Sequence, residues 1–115
     1  MNALNLWRHA VTSTAVVVAL CVGAPVAASP PVVEVRVANY LYLPSEIAVK
    51  VGTAVRWTND EKRVSHSILF RGPQGFESER FFPGESWQRV FDKPGRYEYS
   101  CGPHPEMRGV VVVTD

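Results

Sequence analysis

The chain has 115 residues, 12 Lys and Arg against 11 Asp and Glu, and 46% hydrophobic residues. That length fits one domain. A formal net charge of +1 leaves no basic field of the kind that gathers nucleic acid.

The first segment reads as a leader. Arg8 and His9 give a basic start, Ala10 to Gly23 is an uncharged apolar run, and Ala24-Pro25-Val26-Ala27-Ala28 follows with small residues. This is the order of a secretory signal peptide. Residues 1–28 are therefore expected to be that peptide, cut after Ala28. The apolar run is short for a membrane span, which needs about 20 residues. Leu20 is bulky where a lipid anchor at Cys21 would want a small neighbour. Cleavage leaves 87 residues, 29–115, as one domain with 11 Lys and Arg against 11 Asp and Glu, since Arg8 goes with the leader. Cys21 goes too, so Cys101 stands alone and no internal disulfide can form. Small secreted domains usually need a staple. A lone cysteine in an oxidising compartment is a liability unless buried or ligated. A bound metal would answer both problems.

Beyond the leader, Val33, Val35 and Val37 alternate with Glu34 and Arg36, the period of a half-buried strand. Asn39 to Pro44 reads as a bend or short edge segment that packs aromatics. Glu46 to Val51 and Ala54 to Thr58 are strands joined at Gly52-Thr53, a hairpin-like pair. The charged cluster Asn59 to Arg63 reads as a solvated loop. Val64-Ser65 leads to His66 and a strand over Ser67 to Phe70. Arg71 to Arg80, with two glycines and Pro73, reads as loop, and Phe76 is its candidate anchor on the core. Ser86 to Phe91 is a strand, Asp92 to Gly95 a turn, and Tyr97, Tyr99 and Cys101 share a face of the next strand. Val110 to Val113 is the last. About seven or eight short strands with Pro/Gly turns argue an all-β Greek-key sandwich. The expected core is Val35, Val37, Ile47, Val49, Val55, Trp57, Ile68, Phe70, Val90, Tyr97, Tyr99, Val111 and Val113, with Trp87 between core and edge.

The stretch Cys101-Gly102-Pro103-His104-Pro105-Glu106-Met107 carries the chemistry. It places a thiolate, an imidazole and a thioether three residues apart on one connection between strands. His66 supplies a second imidazole from upstream. Cysteine, two histidines and a weak methionine form the ligand set of a type 1 blue-copper electron-transfer centre. Such a mixed set serves Cu(I) and Cu(II) without strong preference. Pro103 and Pro105 stiffen the loop, because each fixes φ and lacks an N–H. Core packing would explain Cys101 or Met107 singly, and a surface position would explain His104. Zinc would accept Cys and His, but thioether suits it poorly. A cysteine nucleophile would need an orienting carboxylate or amide, which nothing in the spacing requires. No catalytic residue is expected.

The Cys-x₂-His-x₂-Met loop, followed by Arg108-Gly109 and a valine-rich strand, resembles the amicyanin branch of the cupredoxins. The likeness extends over residues 32–114, through Pro44, Ile47 to Gly52, Val55 to Asn59 and Asp92 to Tyr99. It implies a cupredoxin-like sandwich, with one copper ion held by His66, Cys101, His104 and Met107. It further implies that the Ser67 N–H points at the Cys101 sulfur and that Asn59 stitches the upstream loop to the site. His104 would reach the surface through a docking patch that includes Pro103 and Pro105. The partners implied are periplasmic redox proteins, a dehydrogenase donor and/or a c-type cytochrome acceptor, met by a monomer in transient docking. Several positions depart from the pattern. Glu106 stands where amicyanins carry phenylalanine, which makes the patch less apolar. Gly102 replaces a hydroxyl residue and Ser67 an asparagine, so the side-chain bridge between those positions cannot form in the same way. The Asn59–His66 interval is one residue longer, so its loop must bulge. The competing function is copper delivery or storage. A chaperone would favour exposed, exchangeable ligands, whereas Cys101 at a strand end argues burial.

Overall fold

Alternation of apolar with charged or polar side chains builds Val33–Val37 and Val55–Thr58 into strands. The structure is a computed structural model that describes residues 12–24 and 28–115. The leader expectation falls partly on residues 1–11 and 25–27, which lie outside the described residues. Among those described, no helix is long and apolar enough to cross a membrane.

Among the described residues, nine strands follow in order: β1 (Val32–Ala38), β2 (Leu41–Leu43), β3 (Glu46–Lys50), β4 (Thr53–Asn59), β5 (Leu69–Phe70), β6 (Phe76–Glu77), β7 (Ser86–Phe91), β8 (Gly95–Ser100) and β9 (Arg108–Thr114). They form a four-stranded sheet, β2-β1-β4-β7, and a five-stranded sheet, β3-β9-β8-β5-β6. Both are mixed. β1 runs parallel to β4 with Val35 opposite Trp57, and β3 runs parallel to β9 with Val49 opposite Val113. The expected all-β Greek-key sandwich is what forms.

The inner faces meet around Trp57, which is fully buried. Its ring lies 5.3 to 6.5 Å from those of Tyr99, Trp87, Phe70 and Phe91. Its indole N–H donates to the Tyr99 hydroxyl at 3.1 Å, so the polar end of each ring is satisfied inside the core. Val35, Val37, Val49, Val55, Ile68, Phe70, Tyr99, Val111 and Val113 are buried as expected, and Ile47, Trp87 and Tyr97 pack half-buried against them.

Three expectations change. β3 and β4 are not a hairpin; they belong to opposite sheets. The Val51 N–H bonds Thr114 O beside β9, while the next N–H, of Gly52, bonds Phe91 O in β7. The chain crosses the sandwich within that one step, and Gly52 sits at φ +90°, open to glycine at little cost. Second, the stretch read as loop contains β6. Gly75 N–H bonds Gly72 O, and the turn returns Phe76 and Glu77 antiparallel to β5. Phe76 does meet the core, its ring 5.3 Å from that of Phe70. Third, Val90 is not core: it is 47% exposed. Facing pairs Thr53–Phe91, Val55–Arg89 and Trp57–Trp87 set the parity of β7. Phe91 takes the inward place and carries Arg89 with it. The Arg89 guanidinium lies 4.5 to 5.3 Å from the ring centres of Phe70, Phe91, Phe76 and Tyr97. An inward cation is tolerated there because the ring faces are negative.

Candidate metal centre

The loop from Cys101 to Met107 joins β8 to β9, as the spacing predicts. It closes on itself. Cys101 N–H bonds Met107 O at 3.2 Å and Met107 N–H bonds His104 O at 3.0 Å. This turn sets His104 back over the cysteine. His66 arrives from the segment before β5, held by a two-way bridge to Phe81 at 3.1 and 3.0 Å.

The thiol Sγ of Cys101 lies 3.7 Å from His66 Nδ1 and 3.6 Å from His104 Nδ1. The three donor atoms fall within 4.8 Å of one another. Cys101 and His66 are fully buried, and Met107 is 2% exposed at the far end of the loop. His104 is half-buried, while Pro105 and Glu106 are exposed. An S–N separation of about 3.8 Å is what first-row metal bond lengths give around one ion in a trigonal plane. The sulfur–nitrogen spacings therefore fit a single central ion. Burial holds the His66 imidazole below the usual histidine range, the nearby His104 ring adds to this, and Glu61 opposes it. A neutral ring can offer its Nδ1 lone pair. Its Nε2 lies 3.4 Å from Glu61 Oε1, close enough for charge attraction but without a well-directed hydrogen bond. That contact favours the tautomer with the proton on Nε2 and the lone pair on Nδ1.

Ser67, Asn59 and Gly102 lie around the cysteine and histidines. Ser67 N–H points at Cys101 Sγ at 3.4 Å. Asn59, 1% exposed, donates to Val64 O at 2.7 Å and Phe81 O at 3.0 Å, and accepts from Glu61 N–H at 2.9 Å. It thereby ties the loop before His66 to Phe81, the bridge partner of His66. The bridge expected to be lost between positions 67 and 102 is remade differently. Gly102 N–H donates to Ser67 Oγ at 2.9 Å, and that hydroxyl donates to Glu77 Oε1 at 2.7 Å.

Sequence reasoning missed Tyr40, Tyr42, Glu61 and Glu77. Asn39 and Tyr40 both take positive φ, at 53° and 58°, which turns the Tyr40 ring edge-on to His104 at 4.9 Å and His66 at 6.0 Å. Tyr40 N–H also binds Glu61 Oε1 at 2.8 Å. The Asn59–Arg63 cluster is thus only partly a solvated loop: Asp60, Lys62 and Arg63 face water, but the Glu61 side chain is 13% exposed against His66. Tyr42 OH donates to Ser67 O at 2.8 Å. The one signal available was Asn39, a residue type that tolerates the left-handed region.

Comparison with known proteins agrees with this geometry. Residues 10–113 match the family profile of the cupredoxin-like domain. The chain is 37% identical to amicyanin-alpha of Methylorubrum extorquens over 84 residues, covering 70% of each protein. It is 34% identical to the amicyanin of Paracoccus versutus over 85 residues, covering 70% of this chain and 64% of that one. A solved Cu(I) amicyanin variant superposes with a TM-score of 0.68 at 31% identity, over 72% of this chain and 82% of that one. The cofactor is a single copper ion, and the amicyanins the chain matches are non-catalytic cupredoxins. This chain belongs to the cupredoxins, of amicyanin type.

Proposed function

We propose that the chain is a periplasmic one-electron carrier, with copper held by His66, Cys101, His104 and Met107. The observation that carries this reading is the buried Cys101 sulfur set between two imidazole Nδ1 atoms at 3.7 and 3.6 Å. Copper bound there would supply the one-electron couple; the protein supplies a fixed frame. Cys101 offers a thiolate for Cu(II) and Cu(I) alike. His66 and His104 offer neutral nitrogens. Met107, pinned by its own backbone to Cys101 and His104, offers a thioether as the weak fourth donor. Because the frame is built from strand ends and backbone hydrogen bonds, little has to move when the charge changes.

His104 is the ligand that reaches toward solvent, between half-buried Pro103 and exposed Pro105. With Tyr40, 45% exposed, these residues make a small docking patch. Exposed Glu106 gives its rim a negative charge. Balanced charge in residues 29–115 and a small patch suit brief encounters with periplasmic redox proteins, a dehydrogenase as donor and a c-type cytochrome as acceptor. The carrier works as a monomer after residues 1–28 are removed as a signal peptide.

The test is the visible absorption spectrum of the air-oxidised chain with one equivalent of copper. The expected result is an intense band near 600 nm, from charge transfer between thiolate and Cu(II). A colourless product that passes Cu(I) rapidly to a chelator would replace carriage with copper delivery.

A further inference from the structure

We infer that Glu77 is a positioning residue for the copper site: its carboxylate fixes the Ser67 hydroxyl, which in turn fixes the Gly102 amide next to the Cys101 sulfur. The inference rests on the carrier reading for its meaning, but not for its test.

Ser67 is buried and follows His66; Gly102 follows Cys101. Their segments therefore carry two of the ligands. The Ser67 hydroxyl spans the two segments, and it has one proton to give. If that proton pointed at the Gly102 nitrogen, the two donors would oppose each other. The Glu77 carboxylate removes the ambiguity. It accepts the hydroxyl proton at 2.7 Å, which leaves an oxygen lone pair for Gly102 N–H at 2.9 Å. A carboxylate acceptor makes this the stronger kind of O–H bond, and the two bonds polarise each other. Meanwhile the Ser67 backbone N–H is aimed at Cys101 Sγ at 3.4 Å. One serine thus ties the histidine segment to the cysteine segment at two points, and Glu77 orients it.

Position 102 shows the same arrangement from the other side. A Cβ there would lie 1.8 Å from Glu77 Oε1 and 2.9 Å from Ser67 Oγ. Gly102 is not in the positive-φ region, so its smallness, not its backbone freedom, is what the site uses. The carboxylate occupies the space a side chain would need. Glu77 can reach it because β6 pairs with β5 with Glu77 opposite Leu69, two residues beyond Ser67. As a residue Glu77 is exposed, so only its carboxylate tip takes part.

The test compares Glu77→Ala, Glu77→Gln and Ser67→Ala in the full chain, with two readouts. In the copper-loaded protein, Glu77→Ala is expected to change the intensity ratio of the visible bands and shift the reduction potential, with Glu77→Gln closer to the parent because its amide oxygen still accepts. Ser67→Ala should change both in the same sense, and the double variant should add little to either single one. In the metal-free protein, Glu77→Ala should speed hydrogen exchange at the Gly102 amide by about tenfold or more, the scale of one charge-assisted bond. Gly102→Ala should be less damaging in the Glu77→Ala background than in the parent. Unchanged band ratio, potential and Gly102 exchange in Glu77→Ala would overturn the assignment, as would fully additive effects of Ser67→Ala and Glu77→Ala. If the parent takes up copper without colour, the carrier reading fails, and the exchange comparison still decides the role of Glu77.

Discussion

Asn59→Ala should be among the most damaging single changes outside the ligands. The side chain is 1% exposed and makes three hydrogen bonds: to Val64 O at 2.7 Å, to Phe81 O at 3.0 Å and from Glu61 N–H at 2.9 Å. At about 1 kcal/mol net per bond, the loss is about 3 kcal/mol. Phe81 O keeps a partner in His66 N–H, so the orphaned groups are the Val64 carbonyl and the Glu61 amide. For a domain of this size, 1 kcal/mol moves Tm by roughly 4–8 °C, which puts the shift near 12–24 °C. Thermal unfolding of the metal-free chain measures it. Asn59→Asp is the control that separates hydrogen bonding from packing. It keeps the volume and the acceptor for Glu61 N–H but can donate neither of the other bonds, and it adds a carboxylate beside Asp60 and Glu61. It should lose at least as much as alanine. If both variants lose less than about 1 kcal/mol, water replaces the amide and the loop is not held as argued. Copper affinity should fall with stability, because Val64 lies just before His66 in sequence and Phe81 is bridged to His66 through the backbone.

Other positions give sharper, smaller tests. Gly109 lies opposite Tyr99, and a Cβ there would sit 2.2 Å from the Tyr99 ring, so Gly109→Ala should cost about 1–3 kcal/mol in denaturant unfolding. Tyr42→Phe removes the donor to the buried Ser67 carbonyl and should cost about 1–3 kcal/mol, read by the same assay. Copper at a hundredfold excess over its Kd should raise stability by about 2.7 kcal/mol, seen as a higher Tm. Cys101→Ser should abolish the intense visible band and most of that gain.

The cluster of His66, Cys101 and His104 was legible because two of its members lie within one short loop. A tight loop between two strands can be read locally, and the structure closes it with bonds inside the loop itself. Much of the core was legible too: period-two alternation in β1 and β4 names the inward face directly. β7 was not, because Ser86-Trp87-Gln88-Arg89-Val90-Phe91 offers two competing faces. Val90 and Phe91 cannot both point inward, and only the pairing with β4 decides for Phe91 and so for Arg89. The false hairpin has a related cause. Two alternating runs around Gly52-Thr53 look like partners, but sequence adjacency does not distinguish a turn within a sheet from a step between sheets. β6 was hidden because two residues are too short to show a period at all.

The groups around the ligands escaped for a topological reason. Cys101 and Met107 border strands of the five-stranded sheet, and His66 precedes another. Tyr40 and Glu61 come from the ends of β1 and β4 in the opposite sheet, and Tyr42 lies on its edge strand. The metal centre thus sits where the two sheets meet at one end of the sandwich, with donors from one sheet and supports from both. Tyr42 OH to Ser67 O and Glu61 beside His66 are contacts across that seam. Separating the sheets would therefore disturb the supports of His66 and Cys101 together. This arrangement also accounts for how the family pattern can lose its side-chain bridge at Ser67 and Gly102 and still hold the ligands. The tie is not a property of those two positions alone. Any third group that the fold brings to the same place can complete it, and in this chain the group is a carboxylate from the short strand that no local pattern announces.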